Sequence, residues 1–401
     1  MLERVMIIAG ESSGELYGAL LARELKKRHR EISITGMGGE KMAAAGVELI
    51  SGITASFGLT EVFKTLLETQ KTFQKILTAI KTLRPQVLVL IDYPDFNMRI
   101  AQAVKGQGAA ILYYVSPQVW AWRKNRINTL KRIIHKMALI LPFEEKLYHD
   151  AGVECEFVGH PIIDEITEVL AGAGFAVPQI GSEELKQTFR KKLGLDPAKA
   201  TMALMPGSRR HEILKLMPVI IDSMNDARIR DRGFQFVMPV APNLNPEVRA
   251  EMLGMLKLFS AGQLIIVENS IEALLSADAS VIASGTSTLQ AAVLRVPMVV
   301  MYKVSAFSYF VGRLVVKIQH FSLANVILDF MQKDGIRIKE LLQADASSEN
   351  VCAELSRILD DKAYENELQA QFKVVADYFI DKSASGKVAL MVEELEARNY
   401  V

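Results

Sequence analysis

The sequence predicts an α/β protein built from two Rossmann-like domains facing each other across a cleft. Three observations carry that expectation. The chain of 401 residues exceeds what one ordinary core organises. Short β-branched runs alternate with amphipathic stretches, the pattern of parallel sheets covered by helices. The alternation also occurs twice, on either side of a loose segment, AGAGFAVPQIGS from Ala171 to Ser182.

In the first half, strands are expected near Val5–Ala9, Ile32–Met37, Val87–Ile91, Ile111–Val115, Met137–Leu141 and Glu156–Val158. In the second they fall near Met202–Met205, Phe234–Pro239, Leu264–Val267, Ser280–Ala283 and Met298–Tyr302. A last helix covers about Ala363 to Asn399. The domains are therefore drawn at 1–182 and 183–362. The remainder, 363–401, is expected to pack back toward the first domain or to be exchanged in a dimer.

Bulk composition narrows the function. Hydrophobic residues at 50% and charged residues at 23% describe a globular protein, and a formal net charge of +1 gives no global case for nucleic acid. Cys155 and Cys352 lack metal-ligand spacing and are too few for a disulfide framework, which points to a reducing compartment. The six histidines are scattered, which argues against a zinc site. The N-terminus, MLERVMIIAGESSGE, runs straight into a strand and lacks the parts of a signal peptide. No run reaches the roughly 18 apolar residues of a membrane helix; the nearest, 296–302 and 307–316, is cut by Lys303 and Arg313.

In open parallel sheets ligands sit beyond the carboxyl ends of the strands, so the residues just after each strand carry the information. After the first comes Gly10-Glu11-Ser12-Ser13-Gly14-Glu15, with Gly18 a turn later. This spacing suits a tight strand-to-helix turn but is not GxGxxG, which disfavours a nicotinamide cofactor. After Val87–Ile91 comes Asp92-Tyr93-Pro94-Asp95-Phe96-Asn97. Asp92 reads as structural, whereas Asp95 and Asn97 suit a helix cap as well as chemistry. In the second half, Gly207-Ser208-Arg209-Arg210 and Ser284-Gly285-Thr286 each precede a helix. Free backbone N–H groups at a helix start, with a guanidinium fork beside them, suit a diphosphate.

Two further stretches are ambiguous. The segment 58–83 carries an apolar stripe that includes Val62, Phe63, Leu66 and Leu67, with Lys64, Lys71 and Lys75 opposite and Lys81 at its edge. Such a stripe faces either a core or an anionic membrane. The stretch YVSPQVWAWRKNR holds both tryptophans of the chain, Trp120 and Trp122, beside Arg123, Lys124 and Arg126. These indoles pack under the loop or wall a ligand site.

The series IAGESSGE, DYPDFN, YVSPQVWAWR, LPFE, FVGHP, MPGSRRHEI, SGTSTLQ and MVVMYKVS resembles the lipid-A-disaccharide synthase family from about residue 4 to 395. The resemblance implies a GT-B fold and an inverting transfer from UDP-2,3-diacylglucosamine to the 6-hydroxyl of 2,3-diacylglucosamine 1-phosphate. It implies no cofactor or metal, no nucleic acid, contact with inner-membrane lipids from the cytoplasmic face, and in some members a homodimer. Carried onto this sequence, Asp95 is the general base, with Glu15 and Glu11 as runners-up. Gly207, Ser208, Arg209, Ser284, Gly285, Thr286, Gln290 and Asn325 fall to the UDP donor. Ser13, Asn97, Ser116, Trp120, Trp122 and Arg123 fall to the acceptor, and Val62, Phe63, Leu66 and Leu67 to the membrane.

Four departures from the family pattern stand out. Glu15 replaces Asp, Gln290 replaces Glu, Ala324 replaces Pro or Val, and the segment 326–339 is several residues longer. They leave two other readings in play: a relative acting on another UDP-sugar or lipid acceptor, and a protein that binds such ligands without transfer.

Overall fold

The structure, a computed structural model, describes residues 1–52, 62–117, 119, 126–241, 244–303 and 320–398, without the side chains of Ser12 and 62–67. The chain divides into two compact units, Met1–Glu165 with Lys382–Val401, and Ile166–Asp381.

In the first unit the chain runs β1 (Arg4–Ala9), α1 (Ser12–Arg28), β2 (Ser33–Met37), α2 (Glu40–Ala44), β3 (Glu48–Ser51), α3 (Val62–Leu83), β4 (Val87–Ile91) and α4 (Pro94–Val104). It continues through β5 (Ala110–Tyr114), α5 (Arg126–Ile133), β6 (Lys136–Leu139), α6 (Glu144–Asp150), β7 (Cys155–Phe157) and α7 (Ile162–Gly172). The sheet is parallel, in the order β3-β2-β1-β4-β5-β6-β7. Every residue of β4, VLVLI, is buried, as expected for a strand covered on both faces.

The second unit opens with α8 (Glu183–Lys192), then β8 (Thr201–Met205), α9 (Arg210–Asn225), α10 (Ala227–Arg230), β9 (Gln235–Pro239), α11 (Pro246–Met255) and β10 (Leu264–Val267). It closes through α12 (Ser270–Leu275), β11 (Ala279–Ala283), α13 (Thr286–Val293), β12 (Met298–Tyr302), α14 (Leu323–Phe330), β13 (Glu340–Leu342), α15 (Ser348–Asp360) and α16 (Lys362–Phe379). Its parallel sheet has the order β10-β9-β8-β11-β12-β13. The final helix, α17 (Ala384–Ala397), belongs to the first unit.

Sheet order reverses direction between β1 and β4 in one unit and between β8 and β11 in the other. At such a switch point the following loops leave toward opposite faces and open a crevice beyond the strand ends. Both crevices fall where the sequence places its unusual residues.

Three expectations are corrected. The helix drawn from 363 to 399 is two, because Ser383 stops the run: its Oγ accepts the Gly386 N–H at 3.2 Å and starts α17. That helix is fastened to the first unit by Lys136, which pairs with Glu394 at 2.5 Å, and by Arg28 with Glu393 at 3.1 Å. The boundary drawn at 182 moves to 165/166, inside α7. Asp164 accepts the Ser385 N–H at 2.7 Å, whereas 171–182 stays with the second unit and buries Ile180. Two edge strands also escaped the sequence. β3 is only half-buried and β13 has three residues, too little hydrophobic pattern to read.

The stripe of α3 is resolved in part. Phe73, Ile76 and Ile80 are buried in the core with Met6, Leu88 and Phe96, each worth roughly 1.5–3 kcal/mol of burial. Lys71, Lys75 and Lys81 are exposed. The side chains of Val62, Phe63, Leu66 and Leu67, expected at a membrane, lie outside the described residues. Among the described residues no helix is long and apolar enough to cross a membrane.

Candidate functional site

The first crevice is made by the loops after β1 and β4. Gly10 has no side chain because Tyr93 takes the space: a Cβ there would lie 2.2 Å from the tyrosine ring. That ring stacks on Phe96 of α4 with centroids 5.2 Å apart, so the close approach of Gly10 to Tyr93 is what joins the two loops. The turn is strained, since Asp92 and Tyr93 both have φ +47°, a left-handed conformation costly for residues other than glycine. The Asp92 carbonyl, turned aside by that conformation, accepts from Asn97 Nδ2 and Tyr113 Oη, both at 2.8 Å.

Asp95 sits in the first turn of α4, exposed, and is ion-paired with Arg126 at the start of α5. Pro94 at the helix start fixes the turn without losing a helical hydrogen bond. Glu11 is the exposed N-cap of α1 and its side chain makes no cap bond; Ser13 is exposed beside it. Glu15, by contrast, is buried, and its Oε1 accepts the Lys41 N–H at 2.8 Å at the start of α2.

Two residues assigned to the acceptor are placed otherwise. Asn97 is fully buried and its amide donates to the Ile91 and Asp92 carbonyls, so it braces the strained turn and presents nothing to solvent. Ser116 is buried and donates to Glu144 Oε1 at 2.6 Å. That bond joins the stretch after β5 to LPFE. Between the end of β5 and Ser116 lies Val115, a β-branched residue with φ +67°, so strain is held at the root of the tryptophan segment. Trp120, Trp122 and Arg123 themselves lie outside the described residues.

Beneath the crevice is a buried aromatic group. Tyr17 approaches Tyr114 and His160 with ring centroids 6.3 Å away in each case. Burial pushes the Tyr17 hydroxyl well above the ordinary tyrosine range and His160 down to about 3, so both are neutral. His160 Nδ1 accepts the Ile162 N–H at 3.2 Å, which fixes its tautomer.

In the second unit, Gly207 with φ +102° follows β8, and a Cβ there would meet Glu212 Oε2 at 2.6 Å. Glu212 accepts the N–H groups of Ser208 and Arg209, both at 3.3 Å. The open amides expected there are therefore occupied by the helix's own carboxylate, as in a capping box. The Arg209 side chain is 70% exposed although it reaches Glu212 at 3.2 Å.

The other helix start differs. α13 has Gly285 as N-cap and no side-chain cap bond. Gly285 and Thr286 are exposed, and among the described residues no acceptor pairs with the N–H groups of Gly285, Thr286 or Ser287. Ser284 is turned aside, its hydroxyl donating to the Phe321 carbonyl at 2.7 Å.

Gln290 is buried and its Oε1 accepts from Ser270 at 3.2 Å. Asn325, assigned to the donor, is fully buried and spent: its amide donates to Ile338 O and Glu340 Oε1 and accepts the Ile338 N–H at 3.0 Å. Glu340 also takes the Phe321 and Ser322 N–H groups. Together they clamp the long 326–339 segment, which Arg337 and Asp329 close with a 2.7 Å ion pair. Arg126 was read from the sequence only as part of the basic cluster beside the tryptophans, and Glu144, Glu212 and Glu340 were not singled out for the site. The signal for each was a charged residue at a helix or strand start, which is common.

The family model described as lipid-A-disaccharide synthetase matches residues 5–390. A lipid-A-disaccharide synthase of Geobacter sulfurreducens is 37% identical over 396 residues, covering 98% of this chain and 97% of that protein. One of Nitrosococcus oceani is 35% identical over 403 residues, covering 98% and 97%. Among solved structures, the Neisseria meningitidis UDP-GlcNAc 2-epimerase bound to UDP-GlcNAc superposes with a TM-score of 0.64 at 11% identity, covering 98% of this chain and all of that one. CalG4, the calicheamicin glycosyltransferase, gives 0.59 at 13% identity, covering 99% of each. These distant likenesses speak to the fold alone, two Rossmann-like sheets of the GT-B type.

Proposed function

The chain belongs to the lipid-A-disaccharide synthetase family and is a glycosyltransferase, and from that premise we propose its substrates and the roles of its residues. It transfers 2,3-diacylglucosamine from UDP-2,3-diacylglucosamine to the 6-hydroxyl of 2,3-diacylglucosamine 1-phosphate, giving a β-1,6-linked disaccharide 1-phosphate and UDP. It works at the cytoplasmic face of the inner membrane, where both acylated substrates reside.

One observation carries this reading: the loops with the unusual residues coincide with the switch point of each sheet. The first unit takes the acceptor. Asp95 is exposed, unlike Glu15, so a substrate hydroxyl can come within hydrogen-bond reach of it. It accepts the proton of the 6-hydroxyl as that oxygen attacks the anomeric carbon from the face opposite UDP, while Glu11 and Ser13 border the same crevice. Trp120, Trp122 and Arg123 line the acceptor, the cation meeting its phosphate.

The second unit takes the donor. Charge grows on the diphosphate as the glycosidic bond breaks. The bare N–H groups of Gly285 and Thr286, at the positive end of α13, stabilise it, and Arg209 swings from Glu212 to join them. Gln290 and Ser270 hold the ribose side of the nucleotide.

The test is to incubate the protein with both substrates in detergent and to look for the disaccharide by mass spectrometry. Folded protein that yields none across a range of acyl lengths overturns the reading.

A further inference from the structure

A cavity of about 350 Å3 lies in the second unit, before the amino ends of β11 and β12 and so at the sheet edge opposite the candidate donor loops. Its wall is mixed. Leu185, Leu275 and Val296 give it apolar surface, and Lys186, Arg295 and Lys362 outnumber the carboxylates of Asp278 and Glu365. Both carboxylates are already matched: Asp278 pairs with Lys186 at 2.9 Å and Arg190 at 2.6 Å, and Glu365 with Lys362 at 2.5 Å. Arg295 is left over. Its Nε is buried with no hydrogen-bond partner, and among the described residues no carboxylate pairs with its guanidinium.

The backbone at Arg295 is equally uneconomical. α13 ends in a Schellman motif, with Arg295 N–H bonded to the Ala292 carbonyl at 3.1 Å and Val296 N–H to the Ala291 carbonyl at 2.9 Å. Arg295 occupies the left-handed position, φ +58°, where glycine fits without strain. Gln369 donates to its carbonyl at 3.0 Å and holds it there. The sequence thus puts an arginine where glycine is cheaper and buries part of its cation without a partner. Two unrelated costs at one residue, facing one cavity, call for a common compensation.

We propose that this cavity is a second ligand site, which binds a phosphate monoester of about sugar size with Arg295 as the anion's principal partner. The volume falls at the lower end of the range for small-molecule sites, and the apolar wall accommodates the non-ionic part. The planar fork of Arg295 is suited to two phosphate oxygens, and Lys186 reinforces it. The site stands independently of the transfer reaction.

The full chain tests it by thermal melting in phosphate and glucose 1-phosphate against chloride at equal ionic strength, for wild type, Arg295→Gly and Arg295→Lys. Wild-type Tm rises with either phosphate in a saturable way. Arg295→Gly loses the phosphate-dependent shift, and without phosphate it melts above wild type, since strain and an unpartnered cation are both removed. Arg295→Lys, which keeps the charge but not the fork, retains a reduced shift. A lipid source is separated by phosphatidate vesicles: a shift greater with vesicles than with glucose 1-phosphate makes the ligand a headgroup. The proposal falls if wild type shows no shift, if Arg295→Gly keeps it in full, or if Arg295→Gly melts below wild type in chloride.

Discussion

Asp95 and Arg126 form an ion pair between the first turn of α4 and the first residue of α5, 31 positions apart, with the carboxylate exposed and the guanidinium mostly buried. The pair ties the proposed base to the end of the tryptophan segment, whose root is held by Ser116 and Glu144. With its carboxylate open to solvent, the pair contributes little stability, about 0–1 kcal/mol. Asp95→Asn should therefore leave the urea midpoint nearly unchanged while turnover drops roughly 10²–10⁴-fold, the usual worth of a general base. UDP affinity, measured by calorimetry, should be unaffected. Turnover surviving in Asp95→Asn would falsify the assignment of the base.

Glu15 gives the complementary prediction. Its carboxylate is buried against the start of α2, where it satisfies the Lys41 N–H. Glu15→Ala removes that cap and should cost about 0.5–2 kcal/mol, read as a lower urea midpoint. Turnover per folded molecule should persist. Unchanged stability with lost turnover would instead make Glu15 the base.

How far the sequence was legible follows from these residues. Strand cores such as VLVLI announce themselves because burial on both faces demands uninterrupted apolar runs, so the two sheets and the crevice loops could be located. Side-chain direction could not. Asn97 sits two residues from Asp95, yet one is sealed in the core and the other exposed, because helix periodicity turns them to different faces. The amides at Ser208 and Arg209 looked open until the fold brought Glu212 over them. Asn325 reads as a ligand contact by type, and only tertiary structure supplies the Glu340 and Ile338 partners that use it up.

Gln290 lies buried within reach of Ser270, its Oε1 accepting at 3.2 Å. A carboxylate of the same shape keeps that bond and accepts more strongly from a ribose hydroxyl, since charge-assisted bonds are about twice as strong. Gln290→Glu should lower KM for the UDP-sugar roughly tenfold, equivalent to about 1.4 kcal/mol, with kcat little changed. Steady-state kinetics at varied donor decides it. A fall in kcat with unaltered KM would place Gln290 away from the donor.

The buried His160 makes the first unit sensitive to acid. In the folded chain burial holds the ring neutral, down to about 3, with Nδ1 accepting the Ile162 N–H. In the unfolded chain the ring takes a proton near 6.5. Below that value the unfolded state binds a proton that the native state refuses, so stability is fully present above pH 6.5. It is then lost at about 1.4 kcal/mol per pH unit as pH falls toward 3. His160→Gln keeps an acceptor for the Ile162 N–H and removes the titrating group. At pH 7 the variant should be the less stable, because the edge-on contact with Tyr17 is altered. From pH 6.5 down to 5 the gap to wild type should close by that same increment, read from urea transitions at each pH. A gap that stays constant with pH would mean that His160 is protonated in the folded chain, and the neutral ring under the crevice would have to be abandoned.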